Sequence, residues 1–577
     1  MTRSAKGRSA ARLILSLVAA ASLAVSATAC GGSGGSSATG DGTPQSGGSL
    51  TVLLDSGFAG AWATGLDPAT SNTTGSNLAQ NAAVFGGLFT LVADDDGGNA
   101  RIEPNQAESY SWSDDDKTLT ITLRSGIEFS DGTPFNAEAV LWNWIRELNS
   151  GSAGLVQLDL DTSGTAPTYS DEFMQSLWDA LPADVDQSAV EADLTAIKAV
   201  DDLTLTIALN APNGSLIDGF PVANLNLIAS PTAYAELGAD AFSLTPVGAG
   251  PFVISSDSLS DKLVLTKNTN YFKDGLPYLD SLTFQSVAGD QVAYQTLLSG
   301  QADAIEGVNT VSLIQQAQQN SELSVLLTPA TSPYVIQLNT NAAPFDDIRA
   351  REAIYYATDF DAINTGLFNG DGEASQTFMT SSDLFDTTTV DGYRSYDLDK
   401  AKELVAELGG LTVTLGTTDT GMAPTVMTAL QTQWEEAGIT VTTDAQALGD
   451  VITTFIGGQW QAMLQTAGSW DPSVGIGVAV RFGSTSPYSG TPTAAGDLDA
   501  LLAEAVATTD SDARQQVYDE IAQYISDQAY APFGFAFSPA QIVRQGVHGP
   551  GLTTAIPALS VNCGVLYDQV WVDGGGQ

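Results

Sequence analysis

Apolar and polar residues alternate along this chain with two periods that take turns. From Thr118 to Leu123, Leu119, Ile121 and Leu123 fall on one side and threonines on the other, the period of a strand with one buried face. Leu203, Leu205, Ile207 and Leu209 repeat it against Thr204 and Thr206, and Ser49–Leu54 reads as the first strand of the body. Between strands the period lengthens. Val140, Leu141, Trp144, Ile145 and Leu148 share a helix face behind Asn136, whose side-chain oxygen can cap free backbone N–H groups. Asp397 stands before Ala401, Leu404, Val405 and Leu408, and Gly409-Gly410 stop that helix. Pro424 opens another through Leu430 and Trp434 to Gly438, after which Ile439 and Val441 resume a strand. Two late helices follow at Leu498, Leu501, Leu502 and Ala505, and at Val517, Ile521 and Ile525. Such alternation, with no repeat at a fixed period, predicts an α/β architecture. Trp142 falls off the apolar stripe of its helix, which a contact with a neighbouring subdomain or with a ligand explains equally.

The amino-terminal segment follows a different rule. Arg3, Lys6, Arg8 and Arg12 precede an apolar run, Leu13 to Val25, that is too short for a stable membrane span. Ala27-Thr28-Ala29-Cys30 ends it. This order reads as a secretory signal over residues 1–29, and it resembles the bacterial lipoprotein lipobox, with Ala27 where Leu is commonest. The resemblance implies lipid attachment at Cys30 and a protein held on the outer face of the cytoplasmic membrane. An ordinary signal peptide that contains a cysteine is the alternative. Residues 30–48, rich in Gly, Ser and Thr, read as a flexible tether with a root-mean-square reach of about 20–25 Å. No later run approaches the ~18 apolar residues of a transmembrane helix.

Charge narrows the partners. Sixteen Lys+Arg remain after the leader against 67 Asp+Glu, a balance of −51. Nucleic acid and anionic membrane surfaces are poor partners for such a body. The acidity fits either a preference for cationic ligands or solubility outside a cell. Apolar content of 43% with 9 Trp, 21 Phe and 16 Tyr is ample for a folded core. If Cys30 is lipidated, Cys563 has no disulfide partner and reads as a small buried hydrophobe. His548, the single histidine, cannot build a histidine-rich metal site and sits in a turn-like context. No Gly-x-Ser-x-Gly elbow joins a strand to a helix, and no His-Glu-x-x-His motif or phosphate loop is present, so an enzyme, and a secreted hydrolase in particular, is the remote reading. No cofactor is expected.

Five blocks carry a family resemblance. Trp112-Ser113 leads through Asp115 to Val140, a strand, an Asp131-Gly132 turn, Pro134 and the capped helix. Pro246-Val247-Gly248-Ala249-Gly250-Pro251-Phe252 leads to Lys267-Asn268-Thr269-Asn270-Tyr271-Phe272. Leu298-Ser299-Gly300-Gln301-Ala302-Asp303 is the third. Leu338-Asn339-Thr340, with Ala343-Pro344-Phe345-Asp346-Asp347 and the helix to Ile354, is the fourth, and Tyr396-Asp397 through Gly409 the fifth. In this order they resemble the solute-binding proteins of peptide/nickel-type (family 5) ABC importers, which include oligopeptide- and dipeptide-binding receptors. Most of these residues are scaffold devices: Gly132 suits a tight turn, Asn136 a cap, and Asp346-Asp347 the positive end of a helix.

The resemblance implies a two-lobed, periplasmic-binding-protein-like (type II) α/β fold with an extra subdomain. Lobe I would cover 49–334, with the subdomain at about 85–198, and return at 536–577; lobe II would cover 335–535. Hinge segments are expected near Tyr334-Val335-Ile336 and Phe533-Gly534-Phe535. It further implies a monomeric receptor without enzymatic activity that captures oligopeptides or dipeptides and passes them to an ABC permease. Oligosaccharide or another small solute, including chelated nickel, is the alternative. In peptide-binding relatives an aspartate after a Gly-Trp pair holds the ligand amine. The corresponding place here is Gly468-Ser469-Trp470-Asp471-Pro472, where the usual spacer between Trp and Asp is missing. Asp471 is therefore either the amine-binding carboxylate or the Asp of a structural Asp-Pro turn. Trp470, Trp62 (before Leu66-Asp67-Pro68) and Tyr334 at the expected hinge are the aromatic candidates for the ligand pocket.

Overall fold

Two large sheets organise the computed structural model, which describes residues 42–56, 65–70, 78–93, 100–150, 158–258, 261–467, 475–486, 489–491, 495–556 and 565–575. The leader with Cys30, most of the tether, Trp62, Trp470, Asp471 and Cys563 lie outside the described residues.

The first sheet has seven strands in the order Leu323–Leu327, Ala540–Arg544, Ala304–Val308, Ser49–Asp55, Ser281–Val287, Lys262–Lys267 and Phe252–Ile254. Ser49–Asp55 lies near its centre, parallel to both neighbours. Val52, Leu53 and Leu54 are consecutive and all buried, which requires cover on both faces of the sheet. The second sheet has six strands, in the order Glu373–Ala374, Phe533–Ala536, Pro333–Leu338, Ala462–Thr466, Leu411–Thr418 and Ile439–Gln446. Every residue of Pro333–Leu338 is buried. Helices cover these sheets, among them those expected at Asp397, Pro424, Leu498 and Val517. Asp397 caps Leu398–Glu407 through the Lys400 N–H, and Gly409 and Gly410 end that helix with φ of +75° and +112°. Asp347 caps Ile348–Ala357 through the Arg349 N–H.

A four-stranded antiparallel sheet, Ala107–Trp112, Thr118–Leu123, Thr204–Ala208 and Ile197–Asp201 in spatial order, stands beside the first sheet. Its strands show the alternation read from sequence: Leu119, Ile121, Leu123, Leu205 and Ile207 are buried and the threonines between them half-buried. The helix Ala137–Asn149 packs on it. Asn136 Oδ1 accepts from the Ala139 N–H at 2.9 Å, and the preceding turn is closed by Asp131, which accepts from Thr133 N at 2.8 Å and Ser230 Oγ at 2.6 Å. Gly132, at φ +83°, supplies the left-handed step. Two further glycines answer to close approach. A Cβ at Gly248 would stand 2.4 Å from Val84 O, and one at Gly250 would stand 2.6 Å from Gly86 N. The Gly-x-Gly of the second block thus lets this loop lie directly on the end of helix Leu78–Phe85.

The helix Ala137–Asn149 buries polar groups as well as apolar ones. Arg146 pairs with Asp67 at 2.8 Å, both almost fully enclosed, and its guanidinium lies 4.4 Å from the ring centroids of Trp142 and Tyr234. Trp142 is buried there, so its place off the stripe reflects a contact between elements of the fold. Glu147 follows in sequence, buried, and neither of its carboxyl oxygens has a hydrogen-bond partner. Desolvation holds its pKa well above the carboxylate range, against the pull of Arg146 and with a small push from Asp67.

A raised carboxyl pKa means that the unfolded chain releases this proton before the folded one does. Stability from Glu147 is therefore fully present in acid and is lost as pH rises above about 4.3 toward the folded value, by about 1.4 kcal/mol per pH unit. Glu147→Gln should flatten this loss and leave the variant the more stable of the two at about pH 8, read from urea unfolding at about pH 5 and about pH 8. Parallel pH slopes for the two proteins would contradict the assignment.

Candidate functional site

Among the described residues, the chain crosses between the two large sheets at 328–332 and at 537–539, and the crossings lie side by side. Thr328 donates to the Pro539 carbonyl twice, from its N–H at 2.8 Å and from Oγ1 at 2.9 Å. The expected hinge residues lie just beyond. Val335 pairs with Phe533 and Pro333 with Ala536 within the second sheet. The reason is chemical. Val335, Ile336, Phe533 and Phe535 are all apolar and are taken, buried, into the second sheet. Thr328-Pro329-Ala330-Thr331-Ser332 and Phe537-Ser538-Pro539 carry the prolines and hydroxyls that end a ladder.

The bodies built on the two sheets meet again away from the crossings. Arg514, on helix Ser511–Asp527, reaches Asp218 at 2.6 Å, with both side chains largely enclosed. Gly214 N donates to Val506 O at 2.7 Å, and Thr509 Oγ1 to Asp116 Oδ2 at 3.0 Å. A Cβ on Gly214 would fall 2.1 Å from Thr508 O, so the two backbones touch there. The Arg514 guanidinium lies 4.9 Å from the Phe385 ring, and next to it Leu384 packs on the cluster of Leu91, Val222 and Ile556. These contacts and the paired crossings bound the region between the sheets.

Of the aromatic candidates, Tyr334 is described. It lies in strand Pro333–Leu338, and its ring packs 5.3 Å from Phe535 and 5.9 Å from Phe368 in the core of the second sheet. Burial pushes its phenol well above the ordinary range. Trp470 and Asp471 belong to a segment whose two ends are described. Ala467 N donates to Pro333 O at 2.7 Å, so the segment leaves the strand paired with the crossing strand. Arg481, on helix Gly475–Phe482, donates from Nε to Ala467 O at 2.5 Å, and Gln337 donates to Arg481 O at 2.8 Å. Burial brings the Arg481 pKa down to about 10. This brace was not read from sequence. Its visible signal is an arginine inside the apolar run Val478-Ala479-Val480-Arg481-Phe482.

His548 stacks on Trp571 at 4.0 Å and lies 3.2 Å from Asp573, a structural setting. No cluster of three or more metal-ligating side chains occurs among the described residues, and no helix among them is long and apolar enough to cross a membrane.

The model of bacterial extracellular solute-binding proteins, family 5, matches residues 101–518. The glutathione-binding protein GsiB of Pectobacterium atrosepticum is 27% identical over 398 residues, 68% of this chain and 68% of that protein. GsiB of Escherichia coli strain K12 is 26% identical over 408 residues, 69% and 70% of the two chains. Among solved structures, the periplasmic binding protein DppA of Helicobacter pylori in complex with peptide STSA aligns with a TM-score of 0.71 at 20% identity, covering 92% of this chain and 99% of that one. NikA of Brucella suis in complex with Fe(III)-EDTA aligns at 0.70 and 16% identity, covering 91% and 100%. The fold is therefore the two-lobed α/β type expected from the sequence.

The contact around Arg514 makes a measurable claim about closure. Arg514→Gln and Asp218→Asn should each weaken the contact between the two sheet bodies by about 1.5–3 kcal/mol, the worth of a hydrogen bond to a charged group. Solute-free scattering should then give a larger radius of gyration for each variant, and the double variant should match the singles. An unchanged radius would show that the pair adds nothing to closure.

Proposed function

We infer, from the fact that this chain belongs to the bacterial extracellular solute-binding proteins of family 5, that it is the receptor of an ABC importer that shuts on a peptide. The observation that carries the reading is the pair of adjacent crossings joined by Thr328 and Pro539, since two short strands of chain side by side form a hinge and little else. One lobe would comprise the first sheet with its four-stranded neighbour, and the other the segment from about 333 to 536. A solute touching both lobes would stabilise the closed state in proportion to its extra contacts there. Diacylglycerol on Cys30 and the Gly/Ser tether would keep the body at the outer face of the membrane, within reach of a permease. Binding and release need no covalent step.

Peptide is favoured because relatives on both counts are peptide binders by name: GsiB for glutathione, DppA for STSA, and a dipeptide-binding protein from Pseudoalteromonas for Met-Leu. An extended peptide offers main-chain hydrogen bonds and an amine that one carboxylate can hold. Asp471 is our candidate for that carboxylate, with Trp470 and Trp62 as apolar walls. Tyr334 would act from beneath the site, holding the crossing strand through its aromatic cluster. A small non-peptide solute is the second reading, supported by neighbours in complex with agropinic acid and Fe(III)-EDTA.

A thermal-shift panel of peptides, opine-like acids, sugars and chelated metals on the mature body decides between them. A true ligand at 100 times its dissociation constant adds about 2.7 kcal/mol to the native state. We expect free-amine peptides to give that shift and Asp471→Asn to weaken them more than about tenfold with little change in the solute-free midpoint. Stabilisation by non-peptide solutes alone would replace the peptide reading, and unchanged peptide affinity in Asp471→Asn would remove that residue from the site.

A further inference from the structure

Strand Ala304–Val308 contains a bulge. Ile305 pairs with Ile542 and Val308 with Ala540, and the register shifts between them; Gly307 takes φ +74°. A bulge re-aims the side chain beside it, and such features collect near binding sites. The side chain here is Glu306. Its position is informative. The strand runs parallel to Ser49–Asp55, and its carboxyl end meets Ala540, the first strand residue after the second crossing. In open α/β sheets, ligands bind outside the carboxyl ends of parallel strands.

Glu306 is 5% exposed. The Tyr567 hydroxyl donates to its Oε1, while Oε2 has no hydrogen-bond partner. Gln541, on the adjacent strand, is already engaged, accepting from Gly307 N at 3.2 Å. The ion pairs among the described residues leave Glu306 without a cation. A buried carboxyl group with one oxygen held in place and the other bare is costly as an anion unless a positive charge arrives. Burial pushes its pKa up to about 8. An approaching ammonium or guanidinium would reverse that balance.

We propose that Glu306 is a specificity-determining residue that receives a positively charged nitrogen of the solute at the crossover end of the region between the lobes. The assignment rests on the receptor reading above and adds a chemical class to it. A balance of 67 Asp+Glu against 20 Lys+Arg over the whole chain acts in the same direction, drawing cationic solutes toward the body. The nitrogen can come from a peptide α-amine or from a basic side chain, and the two differ in which probe exposes them.

Calorimetry on the mature chain with Ala-Lys-Ala, Ala-norleucine-Ala and N-acetyl-Ala-Lys-Ala separates the cases. Glu306→Gln keeps an acceptor for Tyr567 and removes the charge. We expect it to lose at least about tenfold in affinity for the probe whose cation it reads. Loss on both lysine probes alone marks a basic side chain; loss on both free-amine probes alone marks the α-amine. Glu306→Asp, which keeps the charge on a shorter stem, should recover part of the affinity and serves as the working variant if the glutamine form fails to fold. Equal affinity of wild type and Glu306→Gln for every probe overturns the role of Glu306 and leaves the receptor reading standing. A wild-type protein that ignores all three probes overturns it whatever else is bound. A protein that binds no solute at all overturns the receptor reading as well.

Discussion

The rest of the structure depends on one constraint: the chain changes sheets at two places, and those places touch. Thr328 and Pro539 are far apart in sequence, yet two hydrogen bonds hold the crossings together. Each sheet body therefore closes its own core. The first gathers Val52, Leu54, Leu282, Phe284 and Val543 from remote segments, and the second gathers Ile336, Leu338, Val413, Leu415 and Leu464. Packed cores resist deformation, so a relative movement of the two would fall in the short segments between them. The prolines at 329 and 539 remove backbone donors there and keep the ladders from running on through the joint.

Away from the crossings, the contact between the bodies is of another kind. Among the described residues it includes an enclosed ion pair, a few hydrogen bonds and a small apolar patch around Leu384. Such contacts are worth a few kcal/mol at most, the scale at which a bound solute shifts a two-state equilibrium. The Arg481 brace works on the same scale, fixing where the segment carrying Trp470 and Asp471 leaves its strand.

Sequence reading was most reliable where the information is local. The alternation of Leu119, Ile121 and Leu123, the Asn136 and Asp397 caps and the Gly409-Gly410 stop are each decided within a few residues, and each is found in place. The family blocks were legible for the same reason: the Asp131-Gly132 turn and the Gly248 and Gly250 contacts are packing devices with fixed residue requirements. Long-range pairings were not legible. Nothing near Asp218 announces Arg514, and Glu306 looks like any surface acid until the bulge at Gly307 and the neighbour Tyr567 are seen. Tyr334 stands beside the joint, where a ligand-facing aromatic is expected; its ring packs against Phe368 and Phe535, a contact set by side chains distant in sequence.

Movement about the joined crossings is tested most directly by a distance across them. Spin labels at Asp184→Cys and Lys402→Cys, both exposed positions on different bodies, in a chain whose own cysteines are replaced by serine, report that distance by pulsed dipolar spectroscopy. The account predicts a broad distribution without solute that narrows and shifts when a stabilising solute is added. One unchanged distribution under both conditions would contradict it.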